Sequence, residues 1–325
     1  MNGASMQAAF RDRYCNPAEL EVREIKRPEP LPTEILVRVH ATTVNRTDCA
    51  VLTGKPFIMR FFVGLMRPKS PVPGTDFAGV VEAVGSSVTR FKTGDRVFGF
   101  NDQGLASQAE YMTIAETAAI AKIPDGVDFD RAAASLEAAH YAYNFLNKVK
   151  LSAGQQVLVN GATGGIGSAM VQFLKHYGMV VTAVCDTKNI ALVRSLGATK
   201  VIDYLEEDFT QLQEKFDFVF DAVGKSTFGK CKPLLKDGGI YISSEPGPGG
   251  QNIFLPLLTA LFSRKKVKFP LPTDIPRSIR FISELLVSGE FKPVIEKSYP
   301  LERISEAYAY VNSGQKTGNV VIELT

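Results

Sequence analysis

The sequence predicts an α/β protein with a β-rich front half and a doubly wound parallel sheet behind it. Three observations lead there. The first 125 residues are rich in β-branched residues, glycine and proline. After KIPDGVDFDRAAA (122–134) the period changes, and short apolar strands alternate with amphipathic helices. The chain has 325 residues, which at roughly 100–200 residues per domain suits two domains, each able to bury its own core.

In the front half EILVRVHATTV (34–44), AGVVEAVG (78–85) and DRVFGF (95–100) read as strands divided by turn signals such as SSVTRFKTGD. They predict an antiparallel β-domain with irregular connections. RAAASLEAAHYAYNFLNKV (131–149) then reads as a helix and QQVLV (155–159) as a short buried strand. Ile166, Met170, Phe173, Leu174 and Tyr177 mark one face of a second helix. MVVTAVC (179–185) is the next strand, NIALVRSLGA a helix ending at Gly197, and KVIDY, DFVFDAVG and GGIYISS further strands. This alternation from about residue 130 to 270 is the signature of a parallel doubly wound sheet. The tail holds two helices, IPRSIRFISELLVSG and ISEAYAYVNSG, and a last strand, NVVIELT, that can return to the first domain.

Composition narrows the function classes. Hydrophobic residues make up 45% and charged residues 22%, ordinary for a globular protein, and a net charge of +3 gives no case for nucleic acid or a polyanionic surface. Cys15, Cys49, Cys185 and Cys231 are scattered without a CxxC pair. That argues against a disulfide framework or a structural zinc loop and for a reducing, cytoplasmic setting. The start, MNGASMQAAFRDRY, lacks an apolar h-region, so no secretory signal is expected, and MNGAS reads as an appended leader ahead of Met6. FIMRFFVGLM (57–66), broken by Arg60, and FLPLLTALF (254–262), with Pro256, are too short to span roughly 30 Å of hydrocarbon. They read as loops or short helices covering apolar surface, such as a pocket wall, with a membrane-surface patch as the alternative.

NGATGGIG (160–167) carries the chemistry. It lies between a strand and an amphipathic helix, and Gly161, Gly164, Gly165 and Gly167 allow a tight turn and close backbone approach. Exposed N–H groups and the helix dipole then favour a pyrophosphate. Strand, loop, helix and second strand fall in the order this motif requires. Asp186 ends the second strand, 19 residues after Gly167, where an acid accepts from the adenosine ribose hydroxyls and favours NAD. Lys188 follows two residues later and can meet a 2′-phosphate instead. These residues by themselves leave NAD and NADP open.

The chain resembles the medium-chain dehydrogenase/reductase superfamily, and most closely its zinc-independent quinone oxidoreductase and enoyl reductase branch. The carriers are PGTDFAGVVEAVGSSVTRFKTGDRVFGF (73–100), KIPDGVDFDRAAA, VLVNGATGGIGSAMVQFLK (157–175), SLGATKVIDY, DFVFDAVG and GNVVIEL (318–324). The resemblance implies a GroES-like catalytic domain (1–129), a Rossmann nucleotide domain (130–272) and a C-terminal segment (273–325) returning to the catalytic domain. It implies an active-site cleft between the domains, and a homodimer, with KKVKFP (265–270) as the edge strand at its interface. A lysine and a tyrosine hold the 2′-phosphate in this branch, and Lys188 and Tyr204 match them, which favours NADPH. The expected cofactor set is Gly161, Thr163, Gly164, Gly165, Ile166, Gly167, Asp186, Lys188, Tyr204, Val223 and Ser243.

The zinc alcohol dehydrogenases of the superfamily hold their metal with a cysteine and a His-Glu pair, and by motif match these positions are Asn45, Thr75 and Asp76 here. Asparagine and threonine are poor zinc ligands. Asp48 with Cys49 cannot make a site alone, and Glu137 and His140, which share a helix face, lack further ligands. No metal site is expected. Without a metal, hydrogen-bond donors must polarise the acceptor, which favours reduction of a quinone or an α,β-unsaturated carbonyl over alcohol oxidation. The expected catalytic residues are Asn45, a donor to the substrate carbonyl or the nicotinamide ribose, Asp48, which orients its neighbours, and Tyr141, a phenol able to give a proton. The tyrosine acid of the enoyl reductases falls in TGKPF, where this chain has Pro56 and Phe57, which argues against a fatty-acyl substrate. The alternatives are a dinucleotide-binding redox sensor or partner-binding protein with little turnover and, further off, a zinc alcohol dehydrogenase.

Overall fold

The computed structural model describes residues 4–324. In chain order the strands are β1 (Ser5–Phe10), β2 (Glu21–Lys26), β3 (Glu34–Val44), β4 (Asp76–Val84), β5 (Arg96–Phe100), β6 (Tyr111–Ala115), β7 (Ile120–Lys122), β8 (Gln156–Asn160), β9 (Val180–Cys185), β10 (Lys200–Asp203), β11 (Phe216–Asp221), β12 (Leu235–Ser243), β13 (Lys266–Lys268), β14 (Ile295–Pro300) and β15 (Asn319–Glu323). The α-helices are α1 (Arg46–Thr53), α2 (Arg60–Val63), α3 (Phe129–Ala134), α4 (Glu137–Leu146), α5 (Gly165–His176), α6 (Ile190–Leu196), α7 (Phe228–Cys231), α8 (Gln251–Phe262), α9 (Ile275–Ser288) and α10 (Ile304–Asn312). Two compact units form. One holds the residues up to Glu137, Asp274–Ser288 and the residues from Lys292 on; the other holds Ala138–Thr273 and Gly289–Phe291.

The first unit is built on β3, which pairs antiparallel with β4, β6 and β15 in a sheet of order β14-β15-β3-β4-β5-β7. In its middle, buried Val37 and Val39 alternate with exposed Arg38 and half-buried His40. Over its last four residues, Ala41 to Val44, every side chain is buried, so the chain leaves this strand already inside the unit. Strand β15 pairs with β3 in the register Val320↔Val44. This brings the turn before β15 alongside the residue after β3. The core joins Ile35, Val37, Val39, Phe77, Val81 and Val97 to Ile304, Tyr308 and Ile322 of the tail.

The second unit is a parallel sheet of order β10-β9-β8-β11-β12-β13. The chain steps outward from β8 to β9 and β10, then returns to β11 on the other side of β8. The strand order therefore reverses between β8 and β11, and the loops leaving those two strands flank the point where doubly wound sheets bind ligands.

Three expectations change. The helix over 131–149 is two helices, α3 and α4. Ser135 stands at φ −89°, ψ 4°, and its hydroxyl donates to Ala132 O at 2.8 Å, a local bond that competes with helix propagation. MNGAS is not separate from the fold: Ser5 pairs with Lys26, and Arg27 N donates to Ala4 O at 2.9 Å. Residues 1–3 of that stretch lie outside the described residues. The two apolar stretches cover some apolar surface, through Val63 and Leu255, but present more than they cover. Phe57, Ile58, Phe61, Phe62, Leu65 and Met66 are exposed, as are Ile253, Phe254, Leu257, Leu258, Leu261 and Phe262 on α8. Among the described residues no helix is long and apolar enough to cross a membrane.

Candidate active site

In the second unit the loop after β8 is shaped by two glycines. Gly161 stands at φ +80°, a conformation L side chains rarely adopt. A Cβ there would also lie 2.3 Å from the Val223 side chain. Gly167, in the first turn of α5, packs its Cα against the loop backbone, where a Cβ would be 2.1 Å from Gly161 O. Gly164 is the N-cap of α5, at φ −67° and ψ 167°, and its Cβ position is open apart from Gly161 O at 3.8 Å. The loop is thus packed from behind and open in front, ahead of a twelve-residue helix, a shape that fits a dinucleotide pyrophosphate.

The neighbouring strand holds this loop in place. Buried Asp221 accepts from Asn160 Nδ2 at 3.0 Å, Val223 N at 3.3 Å, Ser226 N at 2.8 Å and Tyr241 OH at 3.2 Å, which presses Val223 onto Gly161. Neither Asn160 nor Asp221 stood out in the sequence; their positions at the C-terminal ends of β8 and β11 were the available signal. Thr163 in the loop and Ile166 in the first turn of α5 are half-buried, and Ser243 is buried at the end of β12 with its Oγ accepting from Glu245 N at 3.3 Å.

Beyond β9, Asp186 accepts from Asn189 Nδ2 at 2.6 Å, and Lys188 Nζ lies 3.8 Å from Asp186 Oδ2. Lys188 and Tyr204 are both exposed, 66% for the lysine side chain and 54% for the tyrosine, so both remain available to a ligand. A cavity of about 780 Å³ opens beside Tyr204, lined also by Lys225, Ser226 and Lys230; the glycine loop does not line it.

The first unit holds a buried polar cluster around the end of β3. Asn45, the first residue past the strand, is the N-cap of α1, and its N–H donates to Asp48 Oδ2 at 2.9 Å, half of a capping box. Asp48 Oδ1 accepts from Thr75 Oγ1 at 3.1 Å. Asp76 accepts from Thr43 N at 2.7 Å and Thr42 Oγ1 at 3.2 Å through Oδ1, and from Thr43 Oγ1 at 2.5 Å through Oδ2. The Asn45 side chain joins the two halves, with Nδ2 donating to Thr43 Oγ1 at 2.8 Å. Lys316, from the turn before β15, donates to Asn45 Oδ1 at 3.2 Å and to Gly318 O. Thr43 and Lys316 were not legible in the sequence; Lys316 lies 271 residues from Asn45 and is brought there only by the β15–β3 pairing.

Among the described residues no group of three or more His, Cys, Asp and Glu is arranged to hold a metal. Zinc does not fit the donors at this position. Both oxygens of Asp76 already accept hydrogen bonds, and the Asn45 oxygen faces a lysine. Burial pushes the Cys49 thiol far up, so this cysteine is an inert core residue. Glu137 is held by Thr47 in the first unit, and His140 Nε2 in the second lies 3.1 Å from Asn144 Nδ2. Tyr141 is half-buried, its ring centroid 5.6 Å from that of His140.

Burial dominates the electrostatics of the first-unit cluster. It pushes Asp76 up to about 6 and Glu137 up to about 7, and raises Asp48 well above the ordinary carboxylate range, the neighbouring acids adding to the rise for Asp48 and Glu137. Between about pH 4 and pH 7 the folded protein therefore keeps protons that the unfolded chain has released. Stability from these groups is fully present below their unfolded values near 4 and is lost as pH rises through the folded ones. Burial lowers Lys316, which works in the opposite sense, in the window below its ordinary 10.5. Thermal denaturation from pH 5 to pH 8 is expected to show a falling Tm, and Glu137→Gln is expected to flatten part of that fall. An equally steep fall in the variant would show that Glu137 does not take up the proton.

Residues 31–125 match the alcohol dehydrogenase GroES-like domain and residues 196–322 the zinc-binding dehydrogenase family. The chain is 32% identical over 305 residues to an NADPH-dependent alkenal/one oxidoreductase, chloroplastic, of Arabidopsis thaliana, covering 91% of this chain and 73% of that one. It is 31% identical over 339 residues to a chloroplast envelope quinone oxidoreductase homolog of the same plant, covering 99% and 100%. The solved quinone oxidoreductase of Coxiella burnetii superposes with a TM-score of 0.88 at 24% identity, over 99% of this chain and all of that one. A GroES-like β unit joined to a parallel nucleotide-binding sheet with this loop defines an NAD(P)H-dependent oxidoreductase. The chain belongs to the medium-chain dehydrogenase/reductase superfamily, in its quinone oxidoreductase-like branch.

Proposed function

We propose that this protein is an NADPH-dependent reductase of quinones or α,β-unsaturated carbonyls that works without zinc. One observation carries the proposal: where the zinc enzymes have metal ligands, Asn45, Thr75 and Asp76 form a closed hydrogen-bond cluster with Asp48 and Thr43. The names of the two plant relatives support the substrate class.

The glycine loop would hold the dinucleotide, whose reduced nicotinamide would supply a hydride. Negative charge then develops on the substrate oxygen, and the second N–H of the Asn45 amide donates to it. The cluster is rigid because Asp76 fixes Thr43 and Thr43 fixes Asn45, so this donor needs little reorganisation as the charge forms. Asp48 holds the backbone of Asn45 and takes no part in proton transfer. Tyr141 gives the single proton that completes the reduction.

Lys188 and Tyr204 are assigned the 2′-phosphate, and Asp186 the ribose edge. Lys188→Ala is expected to raise KM for NADPH about tenfold or more, the worth of one charge-assisted hydrogen bond, while leaving NADH within about twofold. Equal effects on both cofactors would remove the lysine from that role. The proposal includes a homodimer across β13, one edge of the parallel sheet, with the exposed apolar face of α8 beside it.

The direct test follows NADPH and NADH oxidation against panels of quinones, enones and aldehydes. Turnover of quinones or enones with NADPH is expected. Tight NADPH binding without turnover across all three panels would sink the proposal and favour a dinucleotide-binding sensor.

A further inference from the structure

The turn before β15 is constructed to deliver one side chain. Gly318 stands at φ +63°, and a Cβ there would lie 2.2 Å from Val294 O, so the backbone at this point admits glycine only. Glu296 on β14 clamps the turn by accepting from Thr317 N at 2.8 Å and from Tyr310 OH at 2.8 Å. Asn319 N donates to Val294 O at 2.8 Å. Lys316, half-buried, is thereby held with Nζ donating to Asn45 Oδ1 and to Gly318 O. Either protonation state of the amine has the two N–H groups these bonds require.

The bonds beyond Asn45 all run in one sense. Lys316 donates to the Asn45 carbonyl, the Asn45 amide nitrogen donates to Thr43 Oγ1, and the Thr43 hydroxyl donates to Asp76. The Thr43 hydroxyl has one proton and gives it to Asp76, so toward Asn45 it can only accept. The amide orientation is therefore fixed from both ends, and each bond polarises the next.

We propose that Lys316 is a positioning residue of the reduction site, which acts through Asn45 by holding the amide oxygen and strengthening its N–H as a donor. The proposal rests on the function proposed above for its kinetic effect, but not for the contact itself. It assigns a role to a residue 271 positions away in the chain, supplied by the segment that closes the sheet. The charged groups that bear on Lys316 are Glu137, Glu296 and Arg46, with the thiol of Cys49 beside them.

The test is a double-mutant cycle with a spectroscopic arm. Lys316→Met is expected to lower kcat about tenfold, with KM for NADPH within about twofold of the wild-type value and an unchanged melting temperature. Lys316→Arg is expected to recover most of the loss. In an Asn45→Ala background, Lys316→Met is expected to change kcat by less than about twofold, because the residue it acts through is gone. An equal loss in both backgrounds, or no loss in either, overturns the proposal. The side-chain amide resonance of Asn45, followed by NMR on asparagine-labelled protein, reads the contact without turnover. It is expected to shift in Lys316→Met, and an unmoved resonance overturns the proposal. If the wild-type protein reduces no quinone or enone, the function fails on that result alone, and the resonance still decides the role of Lys316.

Discussion

Gly167→Ala is expected to weaken NADPH binding by more than about a hundredfold and to destabilise the folded chain. The added Cβ would lie 2.1 Å from Gly161 O, 2.8 Å from Gly161 C and 2.9 Å from Ala162 Cα. All three atoms are backbone, so no flexible side chain can yield. Overpacking of this kind costs about 1–3 kcal/mol, and here the strain opens the loop whose N–H groups face the phosphates. Gly164→Ala is the matched control. Its Cβ meets only Gly161 O, at 3.8 Å, with φ at −67°. The unliganded protein should lose only a few degrees of melting temperature, from the ~1 kcal/mol by which alanine is the poorer N-cap. A loss of affinity in that variant would report the approach of the phosphate itself. Unimpaired NADPH binding by Gly167→Ala would show that the loop is not the cofactor cradle.

Asp76→Ala is expected to lower stability by about 3–5 kcal/mol, a fall of roughly ten degrees in melting temperature, and to remove most activity. It leaves the N–H and the hydroxyl of Thr43 without their acceptor in a fully buried site, and each such orphan costs about 1–3 kcal/mol, while the Thr42 hydroxyl keeps its bond to the main-chain O of residue 76 at 2.7 Å. Asp76→Asn separates the two effects. It keeps the shape and one oxygen, so most of the stability should return. Its NH2 group would force the Thr43 hydroxyl to accept from position 76 and turn its proton toward Asn45, against the sense set by Lys316. Activity should stay low. Calorimetry and steady-state rates measured on both variants check this, and full activity in Asp76→Asn would show that the direction of the chain of bonds is irrelevant.

The parts of this protein that follow from local pattern were legible in the sequence. Strand β3 was read with its observed limits, because six of its eleven residues are β-branched and none is Gly or Pro. The alternation of strand and helix after residue 130 led directly to a parallel sheet. The glycine loop was legible because Gly161 and Gly167 each answer a backbone demand. What failed was local competition and long-range closure. Ser135 ends α3 with a single hydroxyl bond that no hydrophobic period records. The apolar face of α8 suggested covered surface, since sequence alone cannot say what lies opposite a helix. At the candidate site, Asn45 and Asp48 could be singled out by motif position, whereas Thr43 reads as one more strand residue and Lys316 as a solvated loop lysine. Their significance depends on β15 lying beside β3 in one particular register.

The central claim is that a hydrogen-bonded asparagine, and not a metal, stabilises the reduced substrate. The most direct measurement is the NADPH-dependent rate of enone or quinone reduction on protein whose zinc content is determined before and after exhaustive chelation. The account predicts well below one zinc per chain throughout and a rate that chelation does not change. About one tightly bound zinc per chain, with activity lost on its removal and restored on its return, would contradict it.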